Sequence, residues 1–172
     1  MDYTIPINDL KDGKHQYGFD IADNFFDAFP ESEVKKCTIH VDVDLIKHGG
    51  NIEAFFALSG KVTVVCDRCL DEFEMPIEND GHLFFEQGDE PGEVSDELVM
   101  IARNVSHLDL QQYIYEFICL AIPSQKYHPE DENGNSACDP EMLKRLNEIK
   151  ANNTGGTQTT DPRWDKLKDL IN

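Results

Sequence analysis

The sequence lacks any apolar run that approaches the roughly 18 residues needed by a membrane-spanning helix. Its start, MDYTIPINDLKDG, has neither the basic region nor the apolar region of a secretory signal. Its five cysteines are an odd number and thinly spread, so without an export signal they predict reduced thiols and not a disulfide framework. These absences together predict a cytoplasmic protein.

Basic residues are scarce as well. The chain has 15 Lys and Arg against 34 Asp and Glu, a formal net charge of −19, and no Lys or Arg lies between Arg68 and Arg103. An acidic surface repels nucleic-acid phosphates and attracts basic partners, and it also keeps a protein soluble. The charge therefore disfavours an extensive direct grip on nucleic acid and is compatible with a basic protein partner.

Catalytic motifs are missing too. The sequence contains no glycine-rich phosphate loop, no nucleophile elbow and no pair of histidines on one predicted helix face. Its hydrophobic content of 40% and charged content of 28% are typical of a globular protein. We therefore predict a folded protein that is not an enzyme.

What is present is a period-two alternation of apolar and polar residues, as in half-buried strands. Five segments are predicted to be strands: 37–45, 52–58, 61–66, 73–77 and 81–85. The turn at 48–51 predicts a hairpin, and Ser59 and Gly60 are interpreted as a corner before the third strand. An apolar cluster over 21–29 predicts a short helix or a packed turn, and 86–97 is interpreted as an exposed acidic loop. Short strands joined in this way predict an antiparallel β-meander or a small barrel.

In the second half of the chain the hydrophobic period changes to 3.6, which predicts helices packed on the sheet. One helix is expected over 109–121 and another over 140–150. Each has an aspartate in position to act as N-cap, Asp109 and Asp139 respectively. Residues 1–150 are therefore expected to form a single α+β domain.

The C-terminal residues are predicted to be a polar linker, 151–160, followed by a short amphipathic helix, 161–172. A helix this short is not stable alone in water, so its apolar face must rest either on the acidic domain or on a partner. Tryptophan and arginine are enriched among interface hot spots. We therefore predict that Arg163, Trp164 and Leu167 bind a partner.

The strongest local motif is Cys66-Asp67-Arg68-Cys69. Two cysteines at this spacing can direct both sulfurs to one point, as in a zinc knuckle. His128 and Cys138, in the polar stretch between the predicted helices, offer the two further ligands that tetrahedral zinc requires. The sequence thus predicts one zinc ion that clips the sheet to the later loop, with structural thiols as the alternative.

A thiol–disulfide function competes for Cys66 and Cys69. Redox motifs place the first cysteine at the N-terminus of a helix, whose partial positive charge lowers the thiol pKa. Here strand-like residues precede the motif and acidic residues follow it, so we expect a raised thiol pKa, which disfavours redox catalysis. Cys37 and Cys119 fall on predicted apolar faces and are interpreted as core residues.

A combination of motifs resembles one known family. The motifs are an alternating strand into Cys66-x-x-Cys69-Leu70, Phe73, Pro76-Ile77, Leu120-Ala-Ile-Pro123, His128, Cys138-Asp-Pro140, and Asp161-Pro-Arg-Trp164 with Leu167 and Leu170. In this combination, over about residues 35–172, the chain is similar to the YceD-type family of large ribosomal RNA subunit accumulation proteins. Asn133-Gly134 and residues 138–142 resemble the version found in Bacteroidetes-type bacteria.

Three hypotheses for the function stay open. The leading one, implied by the resemblance, is a non-enzymatic factor that supports large ribosomal subunit assembly and the accumulation of its RNA. Acting through protein contacts, it would bind a basic large-subunit ribosomal protein or an assembly factor. The alternatives are a zinc-stabilised adaptor without a ribosomal role and a thiol–disulfide redox protein that uses Cys66 and Cys69.

Overall fold

The computed structural model describes residues 3–130, 134 and 136–154. The strands are β1 Thr4–Pro6, β2 Gly13–Ala22, β3 Cys37–His48, β4 Asn51–Val65, β5 Glu72–Gly88, β6 Gly92–Glu93, β7 Leu98–Ala102 and β8 His107–Asp109. The helices are the 3-10 helix Asp23–Ala28, α1 Gln111–Ala121 and α2 Pro140–Thr154. The predicted helix over 161–172, with Arg163, Trp164 and Leu167, lies outside the described residues.

Six of the strands form one open sheet in the order β2-β3-β4-β5-β7-β6, and β1 pairs separately with β8. Strands β2 to β5 are antiparallel neighbours in chain order, whereas β7 is parallel to β5 and antiparallel to β6. The predictions of an α+β fold and an antiparallel meander are confirmed. The described residues form no closed barrel, since β2 and β6 remain the two edges of the sheet.

Alternation along β3 places one face of the sheet in the core. The buried residues of this strand are Cys37, Ile39, Val41, Val43 and Leu45. The residues between them are exposed or half-buried, as the period of two predicts. Helix α1 covers the buried face with Ile114 and Ile118, and its Phe117 ring lies 5.0 Å from the ring of Phe56 on β4.

The prediction of a corner at Ser59 and Gly60 is wrong, because β4 continues without a break from Asn51 to Val65. A Cβ atom on Gly60 would overlap the carbonyl oxygen of Thr38 and stand 2.6 Å from Cα of Ile39. The glycine therefore permits a close approach of the β3 backbone within the sheet.

The two strands predicted at 73–77 and 81–85 are one continuous strand, β5. Gly81 lies within this strand and does not interrupt it. The ring of Phe117 occupies the space that a Cβ atom would need, so the glycine allows α1 to pack close to the sheet. Residues 86–88, predicted as part of the exposed loop over 86–97, belong to strand β5, and β6 also lies within that predicted loop.

Three strands outside the predicted set extend the sheet: β2 forms one edge, β6 forms the other, and β7 lies between β5 and β6. Strand β2 pairs with β3 along its whole length. The apolar cluster over 21–29 contributes the 3-10 helix, with Phe25 and Phe26 buried. The ring of Phe29 stacks on that of Tyr115 at a centroid distance of 3.9 Å, which joins this helix to α1.

An aspartate accepts a backbone hydrogen bond at the start of each α-helix, but only Asp139 directly precedes its helix; the N-cap residue of α1 is Leu110, one position after the predicted Asp109. Asp109 accepts a hydrogen bond from the backbone N–H of Gln111, and Asp139 from that of Glu141, each at 2.9 Å. Helix α2 continues to Thr154, into the segment predicted as a linker. None of the helices in the described ranges is long and apolar enough to span a membrane.

Candidate metal centre

The Cys66-x-x-Cys69 motif forms the turn between β4 and β5. The backbone N–H of Cys66 donates to the carbonyl oxygen of Asp71, and that of Leu70 to the carbonyl oxygen of Cys66, both at 2.9 Å. Leu70 takes a left-handed backbone conformation, with φ of 66°, where the chain turns back into β5. The curl of this turn brings the two cysteines to one place, as the spacing predicts.

The segment between α1 and α2 is held against this turn. The backbone N–H of Asp67 donates to the carbonyl oxygen of Lys126 at 2.8 Å, and its carboxylate accepts from the backbone N–H of Lys126 at 2.6 Å. Further along, the hydroxyl of Ser136 accepts from the backbone N–H of Cys138 at 3.2 Å. These two hydrogen bonds between Asp67 and Lys126 hold the segment that carries His128 beside the hairpin turn. No local sequence pattern predicts them.

The side chains of Cys66, Cys69, His128 and Cys138 meet in one cluster, with their ligand atoms all within 4.8 Å of one another. The Sγ atoms of Cys66 and Cys138 are 3.6 Å apart. Nδ1 of His128 is 3.4 Å from Sγ of Cys69 and 3.6 Å from Sγ of Cys138. Tetrahedral zinc, with bonds of about 2.3 Å to sulfur and about 2.0 Å to nitrogen, separates such atoms by about 3.5 to 3.8 Å. The four residues singled out in the sequence therefore lie close together and could bind a metal ion.

The cluster has a small core of its own, apart from the main core of the sheet. The three cysteines are 0%, 4% and 3% exposed in chain order. The apolar side chains packed against them are Phe73, Tyr127, Met142 and Leu143. The ring of Phe73 lies 4.5 Å from that of His128. The sequence reasoning missed this packing, although Met142 and Leu143 follow Cys138 closely on the apolar side of a predicted helix.

Hydrogen bonds to the sulfurs set the electrostatics of the cluster. Burial raises the pKa of Cys66, but the backbone N–H groups of Cys69, Arg68 and His128, with the His128 ring, outweigh it and lower the pKa to about 6. Burial raises the pKa of Cys69, and backbone hydrogen bonds offset this only in part. The expectation that acidic neighbours raise the pKa of Cys66 is wrong, because N–H donors and not carboxylates face its sulfur.

The other two cysteines lie outside the cluster. Cys37 is buried on β3 as predicted, and burial, with a smaller effect of Asp23, raises its pKa to about 11. Cys119 is exposed, so its interpretation as a core residue is wrong. Helix α1 directs Ile114 and Ile118 into the core. Cys119 follows Ile118 directly, so the helical turn places it away from this buried face.

The chain is therefore a small α+β protein with an open sheet. Its candidate metal site combines two cysteines from the β4–β5 turn with a histidine and a cysteine from the segment between α1 and α2. The family described as "Large ribosomal RNA subunit accumulation protein YceD" matches residues 55–171, a range that includes all four cluster residues. The chain belongs to this family, which confirms the resemblance drawn from its motifs. No match is found among curated proteins or among solved structures.

Proposed function

We propose that the chain is a non-enzymatic factor that supports accumulation of large-subunit ribosomal RNA and assembly of the large ribosomal subunit through contacts with proteins. The observation that carries this proposal is the family match over residues 55–171. The net charge of −19 supports protein contacts, because it opposes the binding of phosphate backbones. A basic large-subunit ribosomal protein or an assembly factor is the proposed partner, and the cytoplasm the proposed place of action.

A strain that lacks this chain is expected to contain less large-subunit ribosomal RNA relative to small-subunit RNA. Sucrose-gradient profiles and quantification of both RNAs measure this, and the full-length chain returned to the strain should restore the ratio. The Cys66→Ser/Cys69→Ser variant should restore it poorly, and Cys37→Ala, which changes a thiol outside the cluster, should restore it fully. Unaltered profiles in the deletion strain would contradict the proposed function and favour an adaptor without a ribosomal role.

We also propose that Cys66, Cys69, His128 and Cys138 hold one structural zinc ion. Three sulfurs and one imidazole nitrogen are a usual zinc ligand set, and the Cys66–Cys138, Cys69–His128 and Cys138–His128 distances of 3.4 to 3.6 Å are close to those of a tetrahedral site. The low pKa of Cys66, about 6, supports the thiolate form that binds metal. Because the ligands come from the hairpin turn and from the chain beyond α1, zinc would fasten these two parts together.

A thiol–disulfide function is the weaker alternative. Reactive redox cysteines are partly exposed, whereas Cys66 and Cys69 are 0% and 4% exposed. A pKa of about 6 falls in the range of redox thiols, but it arises from hydrogen bonds that also stabilise a metal-bound thiolate. His128 and Cys138 complete a ligand set and have no part in a two-cysteine exchange, so the geometry supports the metal site better.

The C-terminal segment with Arg163, Trp164 and Leu167 is proposed to bind the partner. Truncation after Thr154 keeps α2 and removes this segment. We expect the melting temperature to fall by less than about 4 °C, because a segment that binds a partner would not contribute to the core of the domain. The truncated chain, and the Trp164→Ala variant, should nevertheless fail to restore large-subunit RNA in the deletion strain. A much larger loss of thermal stability would show instead that the segment belongs to the folded domain.

A further inference from the structure

An open groove of about 780 Å³ runs between α1 and the connection from β6 to β7. Its main apolar lining residues are Leu83, Val94, Val99, Tyr113, Phe117 and Leu120. We call it the α1 groove. It lies outside the metal cluster, with which it shares no residue.

Both walls of the α1 groove present exposed apolar side chains. Leu120 on α1 is 75% exposed, and Val94 on the β6–β7 connection is 61% exposed. The floor is fixed, because Phe117 packs over Gly81 of β5 and Tyr113 packs against Phe85 with ring centroids 5.5 Å apart. Apolar side chains on a preformed, rigid surface of this kind are a common feature of protein-binding sites.

The charged residues that line the α1 groove are all acidic. They are Glu93, Asp96 and Glu116, and within the described part of the chain no Lys or Arg lines it. Tyr113 responds to this charge: burial raises the pKa of its hydroxyl, and the carboxylates of Glu93, Glu116 and Asp109 raise it further. The groove is thus complementary to a segment with apolar side chains flanked by positive charges.

We propose that the α1 groove binds a basic amphipathic helix of a large-subunit ribosomal protein. The apolar row of that helix lies against Leu120 and Val94, and its Lys and Arg side chains face Glu93 and Glu116. A helix fits better than an added strand, since β6 beside the groove is only two residues long and offers little backbone for pairing. The choice of a ribosomal protein rests on the proposed function, whereas the basic amphipathic chemistry follows from the groove.

Site-specific photo-cross-linking of the full-length chain in cells tests this proposal. Leu120 is replaced in one experiment by the photo-reactive residue p-benzoylphenylalanine. In the matched control the same residue replaces Ile149, an apolar helix residue on α2 that is 58% exposed and does not line the groove. We expect position 120, and not position 149, to cross-link to a Lys- and Arg-rich segment of a large-subunit ribosomal protein, identified by mass spectrometry.

A charge reversal sharpens the test. Glu116→Lys should reduce the cross-link from position 120 at least about tenfold, the loss expected when an interface hot spot is removed. Glu148→Lys on α2 makes the same change away from the groove and should leave the yield unaltered. Cross-links to residues 161–172 of the chain itself, to RNA, to a protein outside the large subunit, or equally from both positions would each overturn the proposal. A normal ribosome profile in the deletion strain would instead count against the proposed function, so the two failures are distinguishable.

Discussion

Chelation of the proposed zinc ion is expected to raise amide hydrogen exchange over residues 136–150 at least about a hundredfold, while β3 and β4 keep their protection. Helix α2 has no fully buried residue over 140–150, and a helix of 15 residues is marginal in water without support. Its attachment to the sheet passes through the cluster and the side chains of Met142 and Leu143 packed there. The buried residues of the main core all lie outside the cluster, so the main core should remain folded.

Cysteine variants provide the controls for this experiment. Cys138→Ser should reproduce the increased exchange without chelator, since it removes one of the four ligands. Cys119→Ser changes an exposed thiol outside the cluster and should behave as the wild type. Elemental analysis of protein purified without chelator should find one zinc ion per chain in the wild type and in Cys119→Ser. Absence of metal from the wild type, or unchanged exchange after its removal, would refute the metal clip.

Gly60→Ala is expected to destabilise the protein by about 3 kcal/mol or more, because the new methyl group would overlap the backbone of β3. No side-chain rotation relieves this overlap: the atoms that collide are the carbonyl oxygen of Thr38 and Cα of Ile39. The β3–β4 pairing at the centre of the sheet must shift instead. The melting temperature should fall by roughly 6 to 12 °C for a domain of this size.

Gly18→Ala is the matched control for this substitution. Gly18 also lies within a strand, β2, but a Cβ atom there would meet only the side chains of His40, at 3.4 Å, and Asp42, at 4.0 Å. The change in unfolding free energy should stay below about 1 kcal/mol. Equal melting temperatures for the two alanine variants, measured by circular dichroism, would show that the close approach at Gly60 is not required.

The sequence predicts the fold correctly where the local hydrophobic pattern and the tertiary environment agree. β3 alternates over its buried stretch, and its inner residues face one core, so the period of two identifies it. The predictions at Gly60 and Gly81 were wrong because the sequence does not distinguish a glycine that forms a corner from one that lets a neighbouring element pack closely. Strand β7 was not predicted, because its five residues are all apolar and do not alternate with polar ones.

The sequence also predicts part of the candidate site. The spacing of Cys66 and Cys69 and the presence of His128 and Cys138 identified the four side chains that the structure brings together. The direction of the pKa shift at Cys66 could not be read, because it depends on where backbone N–H groups point. The α1 groove also had no sequence signal, since α1 and the β6–β7 connection meet only in the folded chain.

The metal cluster joins residues that are made at different times. His128 lies 59 residues beyond Cys69, and Cys138 lies 72 residues beyond Cys66. At roughly 5 to 20 residues per second, translation takes on the order of 3 to 14 s to cross these gaps. The β2–β5 meander pairs neighbours in the chain and can form during this interval, leaving a hairpin that carries two sulfurs and no further ligands. The cluster therefore closes only after the hairpin has been made, and an oxidant that reaches the hairpin within those seconds can link its two cysteines before the histidine has emerged.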